Sequence, residues 1–251
     1  MKSKILVTTL CLAASVTPAN AEEACSPAKD MVRMIKAFYA ADPEHIDIID
    51  PSASIKFNTR EGQTLPDQVV FRHEDEKIFL KIDKEGQVQD LELLKSAHKS
   101  GEICRVVNGE IPEISEDEKI SVNVGFSFPY RQKDGVYTIS DLREGAKDGS
   151  KIMKGVAPGG LGFVVPGLKT ISLTPTDKDG DVPDFEFLRD GQIVPIPVSI
   201  YDKTHYFRLK DIKSSKVDML KISGPHQLGA TFKINPEELA EAEAKRLQEN
   251  P

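Results

Sequence analysis

The feature that most limits how this chain can fold is a pattern written twice. From Ile55 to Val107 the sequence reads SIKFN, LPDQVVFR, KIFLKI, a DKEG turn, QVQDLEL and GEICRVV. From Thr170 it reads TISLT, VPDFEFLR, IVPIPVSI, a YDKT turn, HYFRLKDI and KVDMLKI. Anchoring Pro66-Asp67 on Pro183-Asp184 brings the other runs into step within a few residues. Each run is short, rich in β-branched and aromatic residues, and bounded by Gly, Pro, Asp or Lys. Such runs are antiparallel strands joined by tight turns, and their recurrence points to duplication of one β-unit.

A hairpin theme recurs three times, in KIDKEGQVQDL, RQKDGVYTISDL and IYDKTHYFRLKDI. Each couples an Asp/Lys turn to a short β-run that ends in Asp-Leu or Asp-Ile. The expected fold is mainly β: two small antiparallel sandwich-like units, with a single continuous sandwich as the alternative. An N-terminal helix, a mid-chain helix and a C-terminal tail helix accompany them.

The first residues carry an export signature. Lys2 and Lys4 precede an apolar run, Ile5 to Val16, that is short for a bilayer span, and Ala19-Asn20-Ala21 is an A-x-A cleavage site. Cleavage is expected after Ala21, in the manner of a bacterial export signal, which directs the chain to the periplasm or the medium. The organisation expected is residues 1–21 as signal peptide and 22–107 as helix plus first β-unit. Residues 108–234 form the second unit with a helix and a Gly-rich insertion, and 235–251 the helical tail. No later stretch is long and apolar enough to read as a membrane span.

The formal charge of −7 becomes more negative once Lys2 and Lys4 leave. A deficit of clustered Lys and Arg argues against a nucleic-acid partner, which requires phosphate neutralisation. Of three cysteines, Cys11 leaves with the signal. Cys25 and Cys104 remain in an oxidising compartment and are expected to pair.

Along the chain, Ser26 and Pro27 suit a helix start, and Met31, Met34, Ile35 and Phe38 recur at helical spacing. This helix is expected on the first β-unit, tied there by Cys25–Cys104. Ser140 opens a second helix, in which Gly145 and Gly149 are expected to weaken the helix by about 1 kcal/mol each. Arg143, Lys147, Lys151 and Lys154 make it the most basic stretch. Asn235-Pro236 opens the tail helix.

Chemistry is hard to find. The glycine-rich run after Gly155 lacks the Lys-Ser/Thr pair opening a helix that a phosphate loop needs. The five histidines match no metal-ligand spacing, and there is no G-x-S-x-G elbow. Asp177, Asp179, Asp181 and Asp184 offer oxygen atoms to Ca²⁺, yet the EF-hand pattern fails because Val182 and Leu188 stand where Gly and Glu are required. A looser calcium site remains a secondary expectation; otherwise no cofactor is indicated.

Two functions from different classes follow. The first is an exported, non-enzymatic binding or interaction protein of the cell envelope, with an envelope protein or polymer as partner. Its surface would combine Lys147, Lys151 and Lys154 with Leu161 and Phe163 of the Gly-rich loop. The alternative is a hydrolase of envelope polymers whose carboxylates gather only in three dimensions. A concave pocket holding two convergent acids with raised pKa would favour the enzyme; a flat sandwich with a single apolar patch would favour the binder.

Overall fold

The computed structural model describes residues 25–43, 46–58, 65–111, 121–131, 134–157, 165–176, 180 and 183–232. The first half of the chain runs β1 (Cys25–Pro27), α1 (Lys29–Ala40), β2 (Ser52–Asn58), β3 (Gln68–His73), β4 (Glu76–Lys81), a 3-10 helix (Leu91–Lys95), β5 (Glu102–Val106) and β6 (Ser121–Ser127). The second runs β7 (Val136–Thr138), α2 (Ile139–Val156), β8 (Thr170–Pro175), β9 (Asp184–Arg189), β10 (Gln192–Ile193), β11 (Ser199–Tyr201), β12 (Thr204–Arg208), α3 (Leu209–Ser214), β13 (Met219–Ser223) and β14 (His226–Thr231). The protein is mainly β, with several antiparallel sheets, an N-terminal helix, a mid-chain helix and the short α3.

The two halves repeat one topology. Among the described residues, one sheet of the first half has the order β1-β5-β3-β4, and its counterpart has the order β7-β13-β9-β10. The ribbon β2-β6 corresponds to β8-β14, which β12 and β11 extend. Local geometry repeats as well. Two-residue turns, Glu74-Asp75 and Asp190-Gly191, close the β3–β4 and β9–β10 hairpins, and both open on a residue with φ 51°. Ala28 N–H donates to Gly101 O at 2.9 Å, and Ile139 N–H donates to Asp218 O at 3.0 Å, each at the start of its helix. The Asp-Leu and Asp-Ile endings of the three hairpin motifs all fall at the beginnings of helical turns: Asp90-Leu91, Asp141-Leu142 and Asp211-Ile212.

Register shows how burial overrides letters. Phe71 opposes Ile103 across β3–β5, and Phe187 opposes Leu220 across β9–β13; all four are buried. Phe71 is therefore the counterpart of Phe187, whereas the Pro-Asp alignment sets it against Leu188. A one-residue slip turns every side chain of a strand to its other face, so the buried face, and not the shared Pro-Asp, fixes the match.

Equivalent elements also join the halves. Pro129, just past β6, bridges Gly229 of β14 in antiparallel fashion. Tyr130 N–H donates to Leu228 O at 2.7 Å, and Ala230 N–H donates to Phe128 O at 2.9 Å. Since β6 and β14 are counterparts, and α1 packs on α2, the chain resembles a two-fold dimer fused into one polypeptide. β6, which the sequence places in the second unit, pairs along its full length with β2 of the first.

The second half is a sandwich. Phe185 and Phe187 of β9 meet Phe207 of β12 edge-to-face, with ring centroids 4.9 and 5.0 Å apart. In the first half α1 joins the β2–β6 ribbon over the sheet: Met31, Val32 and Ile35 of α1 and Ile55 and Phe57 of β2 pack with Val69, Phe71, Leu80 and Leu94. Phe38, farther along α1, reaches the larger core of the second half.

Helix starts differ in detail from expectation. Ser26 and Pro27 lie in β1, and α1 begins after Ala28. Thr138, not Ser140, caps α2, its Oγ1 accepting from Asp141 N–H at 3.1 Å. Gly145 is required by packing: a Cβ there would lie 2.6 Å from Tyr130 Cε1 and 2.7 Å from Ile49 Cγ2. The glycine thus lets α2 sit close on the strands that join the halves, which offsets its poor helix propensity. The tail helix expected over 235–251 lies outside the described residues.

Buried tyrosines lock this region and set a pH limit. Tyr130 OH donates to Leu142 O at 2.5 Å. Tyr137 OH donates to His226 Nε2 at 2.9 Å, because His226 Nδ1 is committed to Gly224 O at 2.8 Å. Burial raises the pKa of Tyr130, Tyr137 and Tyr206 above the ordinary value. The native state therefore keeps phenolic protons that the unfolded chain sheds above about pH 10. Urea midpoints are expected to fall as pH rises beyond that point; a midpoint constant to pH 11 would contradict the burial of these rings.

Candidate functional site

Among the described residues, two clusters gather chemistry-bearing side chains. The first surrounds the disulfide. Cys25 on β1 lies directly opposite Cys104 on β5, and their sulfur atoms are bonded at 2.09 Å, as the cysteine count predicts. Cys104 is fully buried and forms a small cluster with Val70 and Val106, against which Cys25 and Ile111 pack. Because alternate residues of a strand share a face, Glu102 stands beside Cys104 on this side of the sheet. Arg72 Nε and Nη2 both donate to Glu102 Oε2, at 3.2 and 3.1 Å. The ligand atoms of Cys25, Glu102 and Cys104 lie within 4.8 Å of one another. This set could in principle hold a metal ion once the sulfurs are reduced. Two sulfurs and one carboxylate suit a soft or borderline ion such as zinc; calcium prefers oxygen alone.

The second cluster is a cleft where the segment after α1 meets α2. Asp47 comes from that segment, and Glu144, Asp148 and Lys151 from α2, over a floor of Ile46, Ile48 and Ile152. Glu144 and Asp148 are four apart, so both carboxylates sit on one helix face. Lys151 Nζ donates to Asp148 Oδ1 at 2.6 Å, and Asp148 is the more enclosed partner, 22 % exposed against 65 %. The recess is thus lined by three carboxylates from two elements together with Ile46, Ile48 and Ile152.

Lys147, Lys151 and Lys154 are exposed on α2, and Lys151 lies in the acidic cleft, turned to its own neighbour Asp148. Leu161 and Phe163 lie outside the described residues, as do Asp177, Asp179 and Asp181. Asp184 opens β9, exposed, opposite Ser223. Sequence reasoning missed Glu102 and Asp47. Glu102 could have been found as the i−2 neighbour of Cys104 on a strand; Asp47 has no local signal. It also missed His73 and His98, whose rings stack at 3.9 Å, because the turns that bring them together are far apart in the chain.

No family model matches the chain, and neither a curated protein nor a solved structure resembles it closely enough to register. Among the described residues no helix is long and apolar enough to cross a membrane. The structure thus defines a disulfide-containing β-rich domain with a Cys/Glu cluster. Its cross-link is consistent with an oxidising, extracytoplasmic setting.

Proposed function

We propose that the protein is exported to the periplasm or the medium and hydrolyses an envelope polymer through carboxylates that only the fold brings together. The observation that carries this reading is the open recess that Asp47, Glu144 and Asp148 line from two elements. What supports a hydrolase over a binder is that acids distant in sequence line one recess. Asp148, the most enclosed of the three carboxylates and oriented by its hydrogen bond from Lys151, is assigned the role of base or nucleophile. Glu144 or Asp47 then supplies the proton to the leaving oxygen. The apolar floor would receive the less polar face of a sugar or peptide unit.

The second reading, a non-enzymatic envelope binder, rests on the exposed apolar residues Ile193 and Ile200 at the sandwich edges. One experiment separates the two. The purified protein is incubated with insoluble envelope polymer, and both sedimentation with the polymer and release of new reducing or amino ends are measured. The hydrolase reading expects release, lowered at least about 100-fold in Glu144→Gln or Asp148→Asn. Co-sedimentation without release in the wild type would give the binder instead.

A further inference from the structure

We infer that Cys25, Glu102 and Cys104 form a redox-gated metal site: closed as a disulfide, and open to a zinc-like divalent ion when a dithiol reduces it. The inference does not depend on the hydrolase reading. It rests on the arrangement of ligands and on a comparison that the duplication makes possible.

Strand pairing places the three ligands. Cys25 and Cys104 are opposite one another on adjacent strands, and Glu102 precedes Cys104 by two positions, on the same face of β5. Their donor atoms fall within 4.8 Å. Arg72 grips Glu102 through Oε2, which orients the carboxylate as outer partners commonly orient metal ligands. Two thiolates and a carboxylate leave a fourth tetrahedral position open.

The second half shows what the same strand pair needs. There Val136 and Lys221 occupy the places of Cys25 and Cys104, and Met219 that of Glu102. β7 still pairs with β13, and Ile139 N–H still reaches Asp218 O. The sheet is therefore built without a covalent link at this position. The first half carries two cysteines, a carboxylate and a guanidinium where the second carries Val136, Lys221, Met219 and Leu188, so the cluster is an addition to the shared fold and not a condition of it.

The gating step balances. A thiolate of the dithiol attacks Cys25 Sγ, the half-buried sulfur, and the Sγ–Sγ bond breaks to release the Cys104 thiolate. The second thiolate of the reductant resolves the mixed disulfide. Two electrons and two protons pass to the protein, and the reductant leaves as its own disulfide. A divalent ion then displaces the thiol protons to solvent, so binding strengthens as pH rises.

Cobalt(II) reports on such a site through thiolate charge-transfer absorption. The full chain is reduced, freed of reductant under anaerobic conditions and titrated with Co²⁺. Expected are a saturable band in the reduced protein, none in the oxidised protein, and affinity at least about tenfold weaker in reduced Glu102→Gln. Glu102 is exposed, so that variant keeps its fold. Circular dichroism of the reduced protein is expected to match the oxidised form. Absence of the band, an unchanged titration in Glu102→Gln, or loss of structure on reduction would each overturn the inference.

Discussion

Phe207→Ala is expected to lower the stability of the protein by about 3–5 kcal/mol, among the largest effects of any single substitution. Phe207 is fully buried on β12, opposite Ile171 of β8. It is the ring through which one layer of the sandwich meets the other, in edge-to-face contact with both Phe185 and Phe187. Truncation would remove the transfer energy of the ring and leave a void walled by β-sheet, which cannot easily collapse because its strands are fixed by their neighbours. The counterpart in the first half is the smaller Val88, also buried, which lies beside Ile55 of β2 as Phe207 lies beside Ile171 of β8. Val88→Ala is therefore expected to cost distinctly less. Urea denaturation with unchanged m-values would measure both; a loss below about 1 kcal/mol at Phe207 would contradict the sandwich contact.

The second large effect is expected from Cys25→Ser with Cys104→Ser. The bond joins residues 79 apart in sequence, and the chain-entropy model assigns a loop of that size about 4 kcal/mol. For a chain of this length that corresponds to a fall in Tm of roughly 10 °C. The variant is nonetheless expected to remain folded at room temperature, since β7 and β13 hold the same register with Val136 and Lys221 in place of sulfur. Calorimetry gives the Tm, and circular dichroism the state at room temperature. A double variant that is unfolded before heating would show that β1 depends on the bond.

Much of the fold could be read from the chain because the strands of both halves alternate or run apolar within clear turn residues. The disulfide followed from arithmetic, once Cys11 is expected to leave with an export signal. The duplication was legible as a pattern but not in register: Pro66-Asp67 and Pro183-Asp184 attract the eye, yet which of Phe187 and Leu188 faces the core is settled by packing across the sheet. The role of β6 was not legible either. SVNVGFS reads as the opening of a hairpin, and its partner β2 lies more than 60 residues earlier. Gly145 and Gly149 read as weaknesses because propensity is local, whereas the rings and methyl groups they admit come from distant segments. The acidic cleft was the least legible feature. In a chain rich in Asp and Glu, nothing nearby marks Asp47 as the residue that will face Glu144 and Asp148.

The seam between β6 and β14 has one more consequence. Each half carries the same free edge, and each is the natural mate of the other. A polypeptide holding only one half would present that edge unsatisfied and would recruit a twin to cover it. In the fused chain the segment just past β6 covers the edge of β14 from within, so one half partly serves the other as the twin it would otherwise need.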